Sequence, residues 1–249
     1  MRILGVIPSR YASTRFPGKP LIDLGGKSMI QRVYEQAKKC DHLEAVVVAT
    51  DDQRIFDEVQ SFEGEVMLTS SNHNNGTERC QEVFETIQKE YDYVINIQGD
   101  EPFIDPNQIN ALCGILDGET QLGTLIKKID DPDLLTNPNV MKVVKKVNGE
   151  ALYFSRQAIP FVRSAERADW LSVHQYYKHI GIYAYRSDIL DEIVKLPMSS
   201  LEKAESLEQL RWLENGYKIK LAETNIETFG IDTQEDYAKA IDYLKANQA

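Results

Sequence analysis

The stretch Ile3-Leu4-Gly5-Val6-Ile7-Pro8-Ser9-Arg10-Tyr11-Ala12-Ser13-Thr14-Arg15-Phe16-Pro17-Gly18-Lys19-Pro20 is where the fold of this chain is first legible. Five apolar or small residues halted by proline predict a short buried strand, and the polar residues after it predict a loop at the strand's carboxyl end. Working outward, Ala45 to Ala49, Glu65 to Leu68 and Tyr93 to Ile97 have the same brief apolar signature. Between them, Ser28 to Lys39, Gln53 to Phe62 and Thr77 to Tyr91 place apolar residues at three- and four-residue spacing, as amphipathic crossover helices do. Strand and helix in alternation predict an α/β protein, three layers deep (α/β/α), around a mixed, mainly parallel sheet.

The second half is less regular. Val140 to Val147 and Glu150 to Phe154 flank Asn148-Gly149, which predicts a hairpin closed by a type I′ turn and hence an inserted antiparallel lobe. Leu201 to Asn215 predicts one helix closed by Gly216, Lys218 to Ala222 a strand, and Asp232 to Asn247 a terminal helix. With no repeat, linker or low-complexity tract, the expectation is one domain over 1–249: a first half at 1–130, the antiparallel insertion at 131–186 and completing elements at 187–249.

A chain of 249 residues, 42% hydrophobic and 27% charged, buries roughly 70 to 75% of its unfolded surface and needs neither disulfide nor metal to fold. Its net charge of -11 argues against a nucleic-acid binder with a broad basic face. The apolar run Ile3 to Ile7 is too short for a signal segment or a membrane span, so no membrane partner is expected. Cys40, Cys80 and Cys113 fit neither a disulfide framework nor a zinc site and suggest buried thiols in a reducing cytoplasm.

Charge is not spread evenly. From Met1 to Ile22 there are four cations, Arg2, Arg10, Arg15 and Lys19, and no acid, so the rest of the chain holds the whole acidic excess. In α/β sheets ligands bind at the carboxyl ends of strands, and small residues there let backbone amides approach phosphate oxygens beside Arg and Lys. An anion site is predicted; chance clustering on a surface loop is the plainer alternative. Gly26-Lys27-Ser28 copies the tail of a P-loop, but the required first glycine falls at Leu21, and no G-x-G-x-x-G follows the first strand.

Asp100, in Asn96-Ile97-Gln98-Gly99-Asp100-Glu101-Pro102 at the end of the fourth strand, is placed to hold Mg²⁺ on a nucleotide or to be a solvated turn acid. Asp232 reads first as the N-cap of a capping box with Glu235, a role that leaves its second oxygen for metal. Gly76-Thr77-Glu78-Arg79 opens a helix whose free amides suit an anion or a base edge, or is simply a cap with a surface arginine. His174 and His179 lack the H-E-x-x-H spacing of zinc sites, which leaves His179 as a substrate donor or a satisfied core histidine. Glu205, Glu208, Gln209 and Trp212 recur at helical spacing, as a solvated face with a partly covered Trp would.

Taken together, IPSRYASTRFPGKPL (Ile7 to Leu21), NGTER (Asn75 to Arg79), NIQGDEP (Asn96 to Pro102), ALYFSR (Ala151 to Arg156), KHIGIYAYR (Lys178 to Arg186), LEQLR (Leu207 to Arg211) and GIDTQED (Gly230 to Asp236) resemble the CMP-KDO synthetases, the 3-deoxy-manno-octulosonate cytidylyltransferases, in order along nearly the whole chain. The resemblance implies a Rossmann-like nucleotidyltransferase fold and transfer of a cytidylyl group from CTP to the anomeric hydroxyl of an eight-carbon acidic sugar, with release of pyrophosphate, for lipopolysaccharide sugar activation. It implies that Arg10, Arg15 and Lys19 hold the triphosphate. Ser13 and the backbone from Ser9, with Thr77 and Arg79, would bind the nucleotide and read cytosine. Asp100 and Asp232 would ligate Mg²⁺ and act with Lys19 in catalysis, while Gln98, Arg156, His179, Tyr183, Glu208 and Gln209 fall where the family grips its sugar. A homodimer, with contacts from 131–186, is also implied.

Three departures from the family pattern stand out. Ser9 replaces a common Ala, Asn75 a common Ser and Phe161 a common Trp. Asn75 and Phe161 adjoin the implied site and leave open an amino-substituted form of the sugar. N-acetylneuraminate as acceptor is one alternative; a non-catalytic nucleotide-binding module is another, although such a module could dispense with Lys19, Asp100 or Asp232, all of which are present.

Overall fold

Ile3, Leu4, Val6 and Ile7 are all buried, so the first strand is covered on both faces, as a central parallel strand must be. The computed structural model describes residues 1–12, 16–87 and 89–247. The chain runs β1 (Ile3–Ser9), α1 (Met29–Ala37), β2 (Ala45–Thr50), α2 (Gln53–Ser61), β3 (Val66–Leu68), α3 (Gly76–Thr86), β4 (Tyr93–Asn96), α4 (Pro106–Cys113), β5 (Leu122–Ile129), α5 (Pro132–Thr136), β6 (Lys142–Lys145), β7 (Ala151–Ser155), α6 (Trp170–Val173), β8 (Tyr176–Arg186), α7 (Ser187–Ile193), α8 (Ser200–Glu205), α9 (Gln209–Glu214), β9 (Ile219–Glu223) and α10 (Gln234–Asn247).

Two compact units emerge. The first joins residues 1–110 with 227–249. Its strands lie in the order β3-β2-β1-β4, every pair parallel, so the loops after β1 and β4 leave from the same end. Ser28 caps α1 by accepting from Gln31 N at 3.3 Å, and Met29, Ile30, Val33, Tyr34 and Ala37 form its buried face. Met29 continues into a core of Phe16, Leu24, Ile231 and Ala240, which ties the loop after β1 to the segment before α10.

The second unit, residues 111–226, is mixed. There β5 pairs antiparallel with β8 and parallel with β9, and the β6–β7 hairpin joins β8 at Lys142↔Lys178. Ile129, Leu135, Trp170 and Tyr176 form a separate small core. The predicted α/β architecture, mainly parallel with an antiparallel insertion, is therefore what the chain adopts.

Local details differ from the sequence expectation. In the hairpin only Gly149 takes a positive φ, of 83°, and Gly149 N donates back to Lys146 O at 3.1 Å. Lys146 N donates to Glu150 O at 2.7 Å, so three residues close the hairpin with the left-handed glycine last, as in a type I turn followed by a glycine bulge and not type I′; a separate register shift between Val144 and Lys145 leaves Leu152 unpaired in the ladder. The helix expected over Leu201 to Asn215 is two helices, α8 and α9, because Ser206 turns left-handed at φ 53°. Gln209 and Trp212 are consequently buried and do not belong to a solvated face. Helix α3 stops at Thr86, not Tyr91: Ile87 N closes on Val83 O, and Tyr91 is buried in the run-up to β4. All three cysteines are buried, and the Cys40 thiol donates to Asn110 Oδ1. No helix among the described residues is long and apolar enough to cross a membrane.

Candidate active site

Lys19 lies at the start of a 3-10 turn directly after Gly18, whose φ of 73° is costly for any residue with a Cβ. Its ammonium donates to Asp100 Oδ2 at 2.7 Å and to Asp232 Oδ1 at 2.8 Å. Three charged groups far apart in sequence thus meet at one point. Asp100 arrives on the loop after β4, where Gly99 passes so close to β1 that a Cβ would stand 2.7 Å from Pro8 O. Asp232 is delivered by its neighbour: Ile231 is fully buried, and its N–H donates to Asp100 O at 2.9 Å.

The expected capping box of Asp232 with Glu235 does not form. Helix α10 is capped instead by Thr233 and Asp236, with Asp236 N donating to Thr233 Oγ1 at 3.2 Å and Thr233 N to Asp236 Oδ2 at 3.1 Å. Asp232 lies just before that cap and faces Lys19. Burial disfavours the Lys19 charge, but the two carboxylates outweigh it and hold the ammonium's pKa above its ordinary value. The Lys19 side chain is 13% exposed, whereas those of Asp100 and Asp232 are 32% and 40% exposed, so the carboxylates stay open to an incoming ligand. One ammonium against two carboxylates leaves the cluster net negative. Two hard carboxylate oxygen donors suit Mg²⁺, which binds through one or two carboxylates and fills its remaining positions with water and phosphate oxygens. Next to this cluster, burial and then the Asp100 charge raise the Glu101 carboxyl to about 7.

The other nucleotide-side candidates, and Gln98 among the sugar-side ones, sit on the same unit. Asn75 caps α3 by accepting from Glu78 N at 2.8 Å. Gly76 lets the helix start close to the sheet: a Cβ there would be 3.1 Å from Asn96 Nδ2 and 3.4 Å from Pro8 Cγ. Thr77 and Arg79 are buried, and Arg79 is no surface residue: it donates to Thr69 Oγ1 and lies 3.5 Å from Asp51. Arg10 is exposed and Gln98 half-buried. Ser13 and Arg15 fall outside the described residues.

The remaining sugar-side candidates, Arg156, His179, Tyr183, Glu208 and Gln209, lie on the second unit. Arg156 is held by carbonyls, through Nε to Glu205 O at 2.7 Å, Nη1 to Pro138 O at 3.1 Å and Nη2 to Ser206 O at 3.4 Å. The Glu205 carboxylate accepts from Ser155 Oγ at 2.6 Å and Arg156 N at 2.9 Å. Glu205 therefore organises this corner, a role hidden in the sequence because its partners come from β7 and not from its own helix. Glu208 immediately precedes α9 and Gln209 opens it, buried. A cavity of about 460 Å³ lies alongside, lined by Gln157, Phe161, Arg163, Arg167 and Trp170 among others; its two arginines had no motif to announce them.

His179 Nε2 lies 2.9 Å from Thr124 Oγ1, which also lies 2.7 Å from Ile182 O and 3.2 Å from Ile180 O. The other ring nitrogen, Nδ1, is buried and without a partner among the described residues, so it is the one left for a ligand. Its neighbour Tyr183, with ring centroids 5.2 Å apart, likewise has a buried hydroxyl with no partner. Two orphan polar atoms side by side are the mark of a place where a hydroxylated ligand or water completes the bonding.

Burial lowers the His179 pKa to about 3. Because an unfolded histidine protonates near 6.5, its neutral burial contributes fully above that pH, and stability falls as pH drops from about 6.5 toward 3 by about 1.4 kcal/mol per unit. Between pH 7.5 and 5 the parent chain should lose about 2 kcal/mol more than His179→Gln in urea unfolding. Equal losses would show that His179 is not buried neutral.

The model of the family described as Cytidylyltransferase matches residues 4–219. The chain belongs to the cytidylyltransferase family. Among cytidylyltransferases, the 3-deoxy-manno-octulosonate cytidylyltransferase of Cytophaga hutchinsonii is 57% identical over 235 residues, covering 94% of each chain. That of Parabacteroides distasonis is 56% identical and covers 98% of each. A solved CMP:2-keto-3-deoxy-manno-octonic acid synthetase complexed with CTP superposes with a TM-score of 0.92 at 40% identity, over 99% of this chain and 100% of that one. A 4-diphosphocytidyl-2C-methyl-D-erythritol synthase from Anaerococcus prevotii shares the fold, with a TM-score of 0.64 at 14% identity over 98% of this chain and 96% of the other.

Proposed function

We propose that this cytidylyltransferase moves the cytidylyl group of CTP onto 3-deoxy-D-manno-octulosonate, giving CMP-KDO and pyrophosphate and so activating the sugar for lipopolysaccharide. The observation that carries the reading is the convergence of Lys19, Asp100 and Asp232 at the carboxyl ends of parallel strands, where α/β proteins bind nucleotides. The acceptor hydroxyl attacks the α-phosphate, and the bond to the β-phosphate breaks. Attack on a polyanion requires charge neutralisation and alignment.

Arg10 and Lys19, with Arg15, bind the triphosphate, and Ser13, Thr77 and Arg79 fix the nucleoside side. Asp100 and Asp232 hold Mg²⁺, which when bound neutralises phosphate charge and lowers the pKa of a coordinated hydroxyl. Lys19 orients both carboxylates and adds a positive charge beside the leaving group. On the sugar side Arg156 pairs with the acceptor's carboxylate, and the arginines at 163 and 167 strengthen the preference for an acid. His179 hydrogen-bonds a sugar hydroxyl through Nδ1, and Tyr183, Gln98, Glu208 and Gln209 supply further contacts. The three buried free thiols suit a cytoplasmic protein, and exposed Leu152, Phe161 and Val173 support a homodimer with contacts from 131–186.

The test is pyrophosphate release in Mg²⁺ with each nucleoside triphosphate in turn, alone and with the octulosonate, its amino-substituted form or N-acetylneuraminate. Rapid release is expected only with CTP and the octulosonate. Turnover on N-acetylneuraminate but not the octulosonate would overturn the acceptor, and CTP binding without any release would leave a binding module.

A further inference from the structure

The loop that carries Arg10 and leads to Lys19 is clasped at its neck. Gly18 N donates to Tyr11 O at 2.9 Å, and the Tyr11 ring lies so near Gly18 that a Cβ there would stand 3.0 Å from its Cζ and hydroxyl oxygen. Against the same ring lies a guanidinium from a different element: Arg54 Cζ is 3.3 Å from the Tyr11 ring centroid, a face-on stack. Arg54 is no loosely solvated cation. Its Nε donates to Asp52 Oδ1 at 2.9 Å and its Nη2 to Asp52 Oδ2 at 2.6 Å, so a bidentate carboxylate fixes the guanidinium. Asp52 is itself fixed, capping α2 through Arg54 N at 3.0 Å and donating its own N–H to Thr50 Oγ1 at 3.2 Å at the end of β2.

A continuous chain of contacts therefore runs from β2 through Asp52 and Arg54 to Tyr11 and on to Gly18, the residue before Lys19. We propose that Arg54 is a positioning residue for CTP: stacked on Tyr11 and oriented by Asp52, it holds the neck of the nucleotide loop so that Arg10 and Lys19 meet the triphosphate already aligned. This rests on the assignment of that loop to the nucleotide. The ordering is done before the ligand arrives, so its effect belongs in CTP affinity and not in the chemical step.

Steady-state kinetics of Arg54→Ala, Arg54→Lys, Tyr11→Leu and the Arg54→Ala, Tyr11→Leu double variant test this, in conditions where KM reports CTP binding. Arg54→Ala should raise the KM for CTP about two- to fivefold, the size of an exposed cation–π contact, with kcat and the KM for the sugar unchanged, and Arg54→Lys should recover part of the loss. In the Tyr11→Leu background the Arg54→Ala change should have no further effect. An unchanged KM in Arg54→Ala overturns the proposal. So does an undiminished effect in the Tyr11→Leu background, which would mean direct attraction of the nucleotide by the Arg54 charge. Lys19→Ala measured alongside separates the two assignments: if it also leaves the KM for CTP unchanged, the loop is not the nucleotide site and the brace falls with it.

Discussion

Asp100→Ala and Asp232→Ala are each expected to lower pyrophosphate release by at least about a thousandfold, roughly 4 kcal/mol of transition-state stabilisation. Each removes one of the two hard donors facing Lys19 Nζ at 2.7 and 2.8 Å, and a single carboxylate is a much poorer anchor for a cation among phosphates. Folding should survive, because either change leaves Lys19 paired with the remaining acid and both side chains are about a third exposed or more. Asp100→Asn sharpens the test: the amide oxygen still accepts from Lys19 while the charge is gone. If the role is electrostatic, the Asn variant fails like the Ala variant while melting like the parent. Near-normal release by either Ala variant would refute the shared-metal assignment.

Lys19→Ala should lower kcat/KM for CTP by about two to three orders of magnitude, divided between a raised KM and a reduced kcat. Its ammonium bridges both acids, so its loss removes a positive charge shared between them and a donor from the phosphates. Lys19→Arg should recover little, since a planar fork cannot take the place of a point charge donating to Asp100, Asp232 and, at 3.3 Å, Ile231 O. Kinetics with CTP varied at saturating sugar would check this, and a pure KM effect with kcat intact would restrict Lys19 to binding.

Much of the first unit is legible because its signals are local. The burial of Val46, Val47, Val48 and Ala49, and of one face of α1, follows from residue type and spacing within a few positions. The cationic loop stands out by charge alone. The second unit is harder to read. Its hairpin sits where Asn148-Gly149 puts it, but the turn type depends on strand register, and Gly149 alone takes the left-handed conformation. The single helix expected over Leu201 to Asn215 is interrupted where long-range bonds converge: Glu205 is engaged by Ser155 and Arg156, residues about fifty positions away, and Ser206 next to it is left-handed. Helical spacing in that segment carried no trace of the break.

The sequence by itself determined the alternation of strands and helices, the place of the cationic loop and, through motif resemblance, which acids and second-unit residues to look for as candidates. All of these depend on residue type read over short windows. Only the tertiary structure decided the partners. It set Asp232 against Lys19, 213 residues away, and gave the cap of α10 to Thr233 and Asp236. It engaged His179 Nε2 with Thr124 on a neighbouring strand, and brought Arg54 onto Tyr11. Hydrophobic periodicity is a property of consecutive residues, whereas a hydrogen bond or ion pair exists only once chain closure has set two distant atoms within about 3 Å.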